Sequence, residues 1–437
     1  LLAPPVGMIL WFLWGGAAQK RHLPQNTKRV PDEPESVCKR SALAVEKLTR
    51  QLPTWSRTVN YLCRRGFRLY QNTSVTYLPE GAVLLRDLID RAAKAERFIF
   101  LEYFILAEGK LWGELEKILC AKAREGVEVK IIFDDFGNIK RFSGETIDSL
   151  RDAGVEVFIF NPVHEYVNRL YFNYRDHRKI ACIDGDIAYT GGVNIADEYA
   201  NIVERFGYWK DSGVRLEGEG AWSLTASFLR MCVNIGGTMH NEHDYYRPHT
   251  PVRSEGFCQP FTDGPQNNPD NPAEDMFLQL ISGARRFLYI TTPYFIPDES
   301  LMRALCIAGD GGVDVRLMLP GKPDHWYADC VAESYFGELI KHGIKVYRYT
   351  PGFLHGKTIM VDREAAFVGS VNMDYRSFEL DYECGVMVYG APMIESLLED
   401  MDAIVDQSRL VTAEEWAKRS VLRRVFEPLL RLFAIWM

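Results

Sequence analysis

No Cys-x-x-Cys pair occurs anywhere in this chain, and its nine cysteines keep no regular spacing. An odd, unpatterned set argues against a disulfide framework and a zinc cluster, and fits free thiols in a reducing compartment. An excess of positive charge is also missing. The formal net charge is −8 and the pI about 5.7, which speaks against a nucleic-acid partner held by an overall basic surface. Signs of disorder are absent too, because 47% hydrophobic and 25% charged residues is the balance of a folded protein. At 437 residues there is room for two or three domains.

Charged side chains are absent from residues 1–18, which Lys20 and Arg21 follow closely. A spanning helix needs about 20 apolar residues, and a signal peptide carries its charge before the apolar run rather than after it. Residues 1–18 are therefore expected to be the end of a membrane segment whose upstream part is missing, since the first residue is Leu1 and not Met. The Lys-Arg flank then puts the rest of the chain on the cytoplasmic side of the cell membrane. Residues 19–70 read as a linker, marked by Pro24, Pro31 and Pro34, and a helical region patterned by Leu48, Leu52, Val59 and Leu62.

Beyond residue 70 the chain is an internal duplication, residues 71–250 and 251–410. In the first copy, helical patterning over 82–95, 111–124 and a stretch ending at Gly154 alternates with apolar runs over 97–104, 127–134 and 155–160. The second copy repeats this order, with helices over 273–283, 300–308 and 328–341 and strands over 286–295, 313–319 and 344–349. Such alternation predicts an α/β fold with helices packed on the sheets. The Pro- and Asn-rich segment 238–269 reads as a linker between the copies.

Each copy carries His-x-Lys followed by four residues and Asp: His177, Lys179 and Asp184, then His355, Lys357 and Asp362. The histidines stand 178 residues apart at matching points. On a strand, positions i and i+2 share a face, so each motif sets an imidazole beside an ammonium. Gly191-Gly192-Val193-Asn194 and Gly369-Ser370-Val371-Asn372 follow, offering close backbone approach and polar donors to a phosphate. Asp211 and Glu383 occupy matching positions farther on, and each is expected to orient one histidine through Nδ1. Together these groups suit a phosphodiester. One neutral histidine attacks phosphorus, the other protonates the leaving alkoxide, and lysines and amides hold the oxygens. No metal and no cofactor is needed, because the lysines supply the positive charge.

With these motifs in view, the chain resembles the phospholipase D superfamily, and within it the bacterial-type cardiolipin synthases. Leu101-Glu102-Tyr103-Phe104, Tyr174-Arg175-Asp176-His177, Tyr208-Trp209-Lys210-Asp211 and the run from Gly369 to Leu380 carry the resemblance, with the apolar N-terminus. It implies two tandem phospholipase D-like α/β lobes related by pseudo-two-fold symmetry, with an N-terminal membrane segment. It further implies transfer of a phosphatidyl group between two phosphatidylglycerol molecules, giving cardiolipin and glycerol through a phosphohistidine. His177 would be the nucleophile and His355 the general acid/base, with Asp184 and Asp362 as structural supports. Asp381 departs from the Asn expected before the aromatic-Glu pair. Phosphatidylserine synthase or phospholipase D chemistry is the alternative within the same site. A nuclease is opposed by the acidic charge and apolar ends, and an inactive scaffold by the intact His, Lys and Asn of both copies.

Glu102 at a strand end either lines the cleft or serves the structure, and Arg376 and Ser377 either meet a lipid headgroup or pair with a nearby acid. His240, His243 and Asp244 have metal-like spacing but sit in the linker without a third distant ligand. Residues 411–437 form an amphipathic pattern, with Trp416, Leu422, Phe426, Leu430 and Phe433 against Lys418, Arg419, Arg423 and Arg431. A core helix explains that pattern, and insertion into an anionic membrane surface explains it better beside a lipid substrate. The expected partners are thus phosphatidylglycerol, cardiolipin and the membrane, with no nucleic acid. No signal for an oligomeric state is present.

Overall fold

The structure, a computed structural model, describes residues 34–163, 174–240, 243–250, 252–268, 270–419 and 430–431. The expected membrane segment 1–18, the linker up to residue 33 and most of the tail beyond residue 419 lie outside the described residues. Among the described residues no helix is long and apolar enough to cross a membrane.

The first half supplies β1 (Thr73–Leu78), β2 (Phe98–Tyr103), β3 (Glu128–Asp134), β4 (Glu156–Phe160), β5 (Arg175–Asp176), β6 (Lys179–Ile183), β7 (Ile187–Gly191), β8 (Tyr208–Lys210) and β9 (Gly213–Gly218). The second half supplies β10 (Phe257–Asp263), β11 (Phe287–Thr291), β12 (Phe295–Ile296), β13 (Asp314–Pro320), β14 (Lys345–Tyr349), β15 (Gly352–Leu354), β16 (Thr358–Val361), β17 (Ala365–Gly369), β18 (Met373–Asp374), β19 (Asp381–Tyr389) and β20 (Ser408–Leu410). The first sheet runs β1-β9-β7-β6-β2-β3-β4 and the second β10-β19-β17-β16-β11-β13-β14-β20. Strand for strand the two orders match, and β20 adds one edge, so the halves are two tandem α/β lobes of one topology. Strands such as β2 are buried along their whole length, on both faces, because helices or the other lobe cover each side.

Three apolar cores result. An outer core of the first lobe holds Leu84, Leu88, Leu115 and Ile131. A central core joins Phe100, Phe228 and Leu229 of the first lobe to Val386, Ile394 and Leu397 of the second. Here the sheets meet along β7, β9, β17 and β19, and helices Ala221–Asn234 and Met393–Asp406 pack beside that seam.

The outer core of the second lobe differs from expectation. It includes Leu48, Trp55, Val59 and Leu62 of helices Glu35–Gln51 and Ser56–Arg64 and the short turn between them. The helical region that precedes the first lobe in sequence thus packs on the second. Trp55 Nε1 donates to Glu364 at 3.0 Å, and Gln259 donates to the Phe67 carbonyl at 3.0 Å. Segment 238–269 is likewise not only a linker, because it contains β10, paired antiparallel with β19. The single helix expected over 328–341 is two, Trp326–Glu333 and Phe336–Lys341. Ser334 Oγ bonds back to the Val331 carbonyl at 2.6 Å, which competes with the helical ladder at the break.

Candidate active site

Each half lends a short strand to the other. β5 pairs in parallel with the start of β19, and β15 pairs in parallel with β8. The next residue along each short strand is a histidine. His177 N–H donates to the Tyr382 carbonyl at 3.0 Å, and His355 N–H to the Lys210 carbonyl at 2.7 Å. Tyr382 and Lys210 immediately precede Glu383 and Asp211, so the backbone pairing delivers each acid to the histidine of the opposite lobe. His177 Nδ1 lies 2.8 Å from Glu383 Oε1, and His355 Nδ1 lies 2.6 Å from Asp211 Oδ2. One acid per histidine is present, in a crossed arrangement.

Both lysines fold back onto their own motif. Lys179 Nζ donates to the His177 carbonyl at 2.5 Å and Lys357 Nζ to the His355 carbonyl at 2.6 Å. Lys357 Nζ also lies 3.0 Å from the ring nitrogens of His355. Burial penalises the ammonium form and lowers Lys357 to about 7 and Lys179 to about 8. Burial, then the charge of Lys357, lowers His355 to about 4. His177 is pushed well below the usual histidine range by burial and then by Lys179, Lys357 and His355. The two half-sites therefore share one electrostatic centre.

The acids differ. Burial raises Glu383 well above the carboxylate range, with Lys179 opposing. Burial also acts to raise Asp211, but His355 and Lys357 outweigh it and hold Asp211 below its ordinary value. The aromatic surroundings differ as well. Phe104 meets His177 edge-on at 5.2 Å, whereas Tyr199, Trp209 and Phe353 flank His355 at 5.4–5.5 Å.

Asp184 and Asp362 sit away from this centre, at the far ends of the motif strands. Asp184 accepts the backbone N–H groups of Glu96, Arg97 and Phe98 at 2.7–2.9 Å. Asp362 does the same for Arg285, Arg286 and Phe287 at 2.8–2.9 Å. Both adopt positive φ, 52° and 54°, and tie the turn after each motif to the start of β2 or β11.

The amides differ between lobes. Asn194 accepts from Ile105 N–H at 3.0 Å and donates to the Tyr199 hydroxyl at 2.7 Å. Asn372 is nearly buried and its Oδ1 has no hydrogen-bond partner. The Ser370 hydroxyl, expected to contact phosphate, is buried and donates to Glu383 Oε2, the acid that meets His177. Its counterpart Gly192 has no room for a side chain, because a Cβ there would collide with Asp211. Glu102 does not line the cleft either. It is fully buried and ion-paired with Arg178 at 2.5 Å, which also binds Asp176 at 2.9 Å. Arg376 pairs with Asp381 at 3.3 Å while its side chain stays 30% exposed.

Among the described residues, His177, Asp381 and Glu383 bring potential ligand atoms within 4.8 Å of one another. Glu383 is already engaged by His177 and Ser370, and Lys179 and Arg376 act on the same groups, so the local charge opposes a cation. His240 stacks on Tyr245 at 4.7 Å.

A family described as "Cardiolipin synthase, PLD-like domain" matches residues 85–203 and 277–405, one stretch in each lobe. This chain belongs to that family. Cardiolipin synthase 2 of Bacillus anthracis is 36% identical over 83% of this chain and 70% of its own length. The major cardiolipin synthase ClsA of Bacillus subtilis is 33% identical over 99% of this chain and 90% of its own. The fold is similar to that of phosphatidylserine synthase from Haemophilus influenzae, with TM-score 0.63, 15% identity, and coverage of 86% and 96% of the two chains.

For this cardiolipin synthase-family chain, sequence reasoning missed Tyr199, Trp209 and Phe353 around His355. A signal existed for Trp209, since it stands two residues before Asp211 and period two puts both on one face. It also missed Asp134, which pairs with Arg175 at 3.1 Å and accepts Asp176 N–H at 2.9 Å, bracing the residues before His177. No local pattern marks that acid.

Proposed function

We propose that this protein is a cardiolipin synthase that transfers a phosphatidyl group from one phosphatidylglycerol to another and releases glycerol. The observation that carries this reading is the crossed site, two histidines each backed by a buried acid of the other lobe and each with a buried lysine beside it. Family membership and the names of the relatives supply the substrate class.

His177 is the nucleophile in this reading. Its Nδ1 is engaged by Glu383, which leaves Nε2 to attack phosphorus, and burial keeps the ring neutral. His355 is the general acid/base. Its partner Asp211 favours the ionised form and so stabilises an imidazolium. Burial and, after it, two ammonium charges hold His355 low; the incoming phosphodiester anion offsets those charges, so the ring gains its proton as substrate arrives. His355 gives that proton to the glycerol alkoxide and later takes one from the hydroxyl of the second phosphatidylglycerol, which attacks the phosphohistidine. Lys179, Lys357 and Asn372 hold the phosphoryl oxygens, and Asn194 contributes its remaining amide proton. The protein works at the cell membrane with its lobes on the cytoplasmic side, residues 1–18 and the amphipathic tail serving as attachments.

The test is a product assay. Purified protein given phosphatidylglycerol alone, in EDTA, is expected to form cardiolipin and free glycerol in equal amounts. Formation of phosphatidic acid only, or a requirement for a cytidine-activated lipid, would assign the site to a hydrolase or to another transferase.

A further inference from the structure

Eleven large hydrophobic side chains are exposed among the described residues, and six of them sit on three connections beside the catalytic centre. Phe136 and Ile139 follow the carboxyl end of β3, Ile202 and Val203 lie between β7 and β8, and Trp326 and Tyr327 follow β13. The first connection is fixed to the His177 side. Asn138 donates to the Phe104 carbonyl at 2.9 Å, Phe104 abuts His177, and the Arg175 guanidinium lies 5.5 Å from the Phe136 ring. The second is fixed to the His355 side, because Asn201 exchanges hydrogen bonds with the Trp209 backbone at 2.7 and 3.0 Å. The third hangs from Asp324, which accepts from Tyr294 at 2.6 Å and pairs with His325 at 2.9 Å. Asp324 stands within electrostatic reach of His355, and Tyr327 within that of Arg376.

None of these six side chains belongs to an apolar core of the described residues. Trp326 is 63% exposed and Phe136 55%. Exposed Lys140, Arg205 and Lys322 stand on the same connections against exposed Glu204. Apolar tips interleaved with cations suit the boundary of an anionic bilayer, where aromatic rings sit at headgroup level. We propose that these three connections seat the cleft directly on a phosphatidylglycerol-containing bilayer, so that a headgroup reaches the histidines while its acyl chains stay in the lipid. This rests on the lipid-transfer reading. It adds a docking surface formed by both lobes, separate from the two ends of the chain.

Two measurements test it on the full chain. In the first, a triple variant, Ile139→Ser with Val203→Ser and Trp326→Ser, is compared with wild type on phosphatidylglycerol vesicles and on dibutyroyl phosphatidylglycerol as monomers. The vesicle rate is expected to fall at least about tenfold, with the monomer rate kept within about twofold. Equal loss on both substrates, or no loss on vesicles, overturns the proposal. In the second, brominated phosphatidylglycerol vesicles are expected to quench part of the tryptophan emission, and Trp326→Phe to remove that part while turnover persists. Unchanged quenching in Trp326→Phe also overturns it, and would leave the surface to a protein partner. Absence of cardiolipin from wild type on either substrate would instead refute the lipid-transfer reading.

Discussion

Because the acids are crossed, Asp211→Asn should disable the histidine of the other lobe. Asp211 Oδ2 lies 2.6 Å from His355 Nδ1 and is buried, so little water screens the pair. Two unit charges about 4 Å apart at an effective dielectric constant near 20 attract by about 4 kcal/mol. If that attraction is present only when His355 is an imidazolium, its loss slows turnover by about 10³-fold. An amide can also donate to Nδ1 and impose the wrong tautomer, which deepens the loss. The informative assay uses a phosphatidyl donor with a p-nitrophenol leaving group, whose departure needs no proton. Asp211→Asn should then keep the first burst of nitrophenol and accumulate phosphoenzyme, because only the later step needs His355 as base. Glu383→Gln should lose the burst itself. A turnover loss below tenfold for Asp211→Asn, or loss of the burst in Asp211→Asn and its survival in Glu383→Gln, would refute the assigned roles.

Three further outcomes are expected. As pH rises through about 7 to 8, Lys357 and then Lys179 lose their protons in the empty site, so kcat/KM should fall over that range. On the acid side the limb should come from protonation of the nucleophile His177, which burial and then the nearby cations hold well below the usual histidine range, and a profile flat to pH 9 would contradict this reading. Asn372→Ala, whose Oδ1 has no partner, should lower kcat/KM by about 10²-fold with little change in unfolding free energy. Asn194→Ala removes one buried and one partly buried hydrogen bond and should destabilise the fold by about 2 kcal/mol, measured by urea unfolding.

The alternation of apolar runs with helical stretches made both lobes readable from sequence, and the duplicated His-x-Lys marked the centre between them. Long-range pairing was not readable. Asp211 and Glu383 stand out as matched acids, yet only the exchange of β5 and β15 decides which histidine each one meets. Ser370 looks like a phosphate donor in a Gly-Ser-x-Asn turn, and only the position of Glu383 claims its hydroxyl. Segment 238–269 has linker composition over most of its length, which masked the seven-residue β10 just before Pro265 and Asn267. The helices over 35–64 show a clear pattern, but nothing local in Trp55 or Val59 names the second lobe as their partner.

The exchanged strands also settle how the molecule can move. A clamshell opening between the lobes would have to break the backbone pairing of β5 with β19 and of β15 with β8, separate both histidine–acid pairs and expose the central apolar core. Each large apolar side chain in that core is worth about 1.5–3 kcal/mol, so a few of them match the free energy of folding a typical domain, about 5–15 kcal/mol. The seam between the lobes is therefore no hinge. The spacing of the histidines is set when the chain folds, and both lipids, in turn, must fit a gap of fixed width.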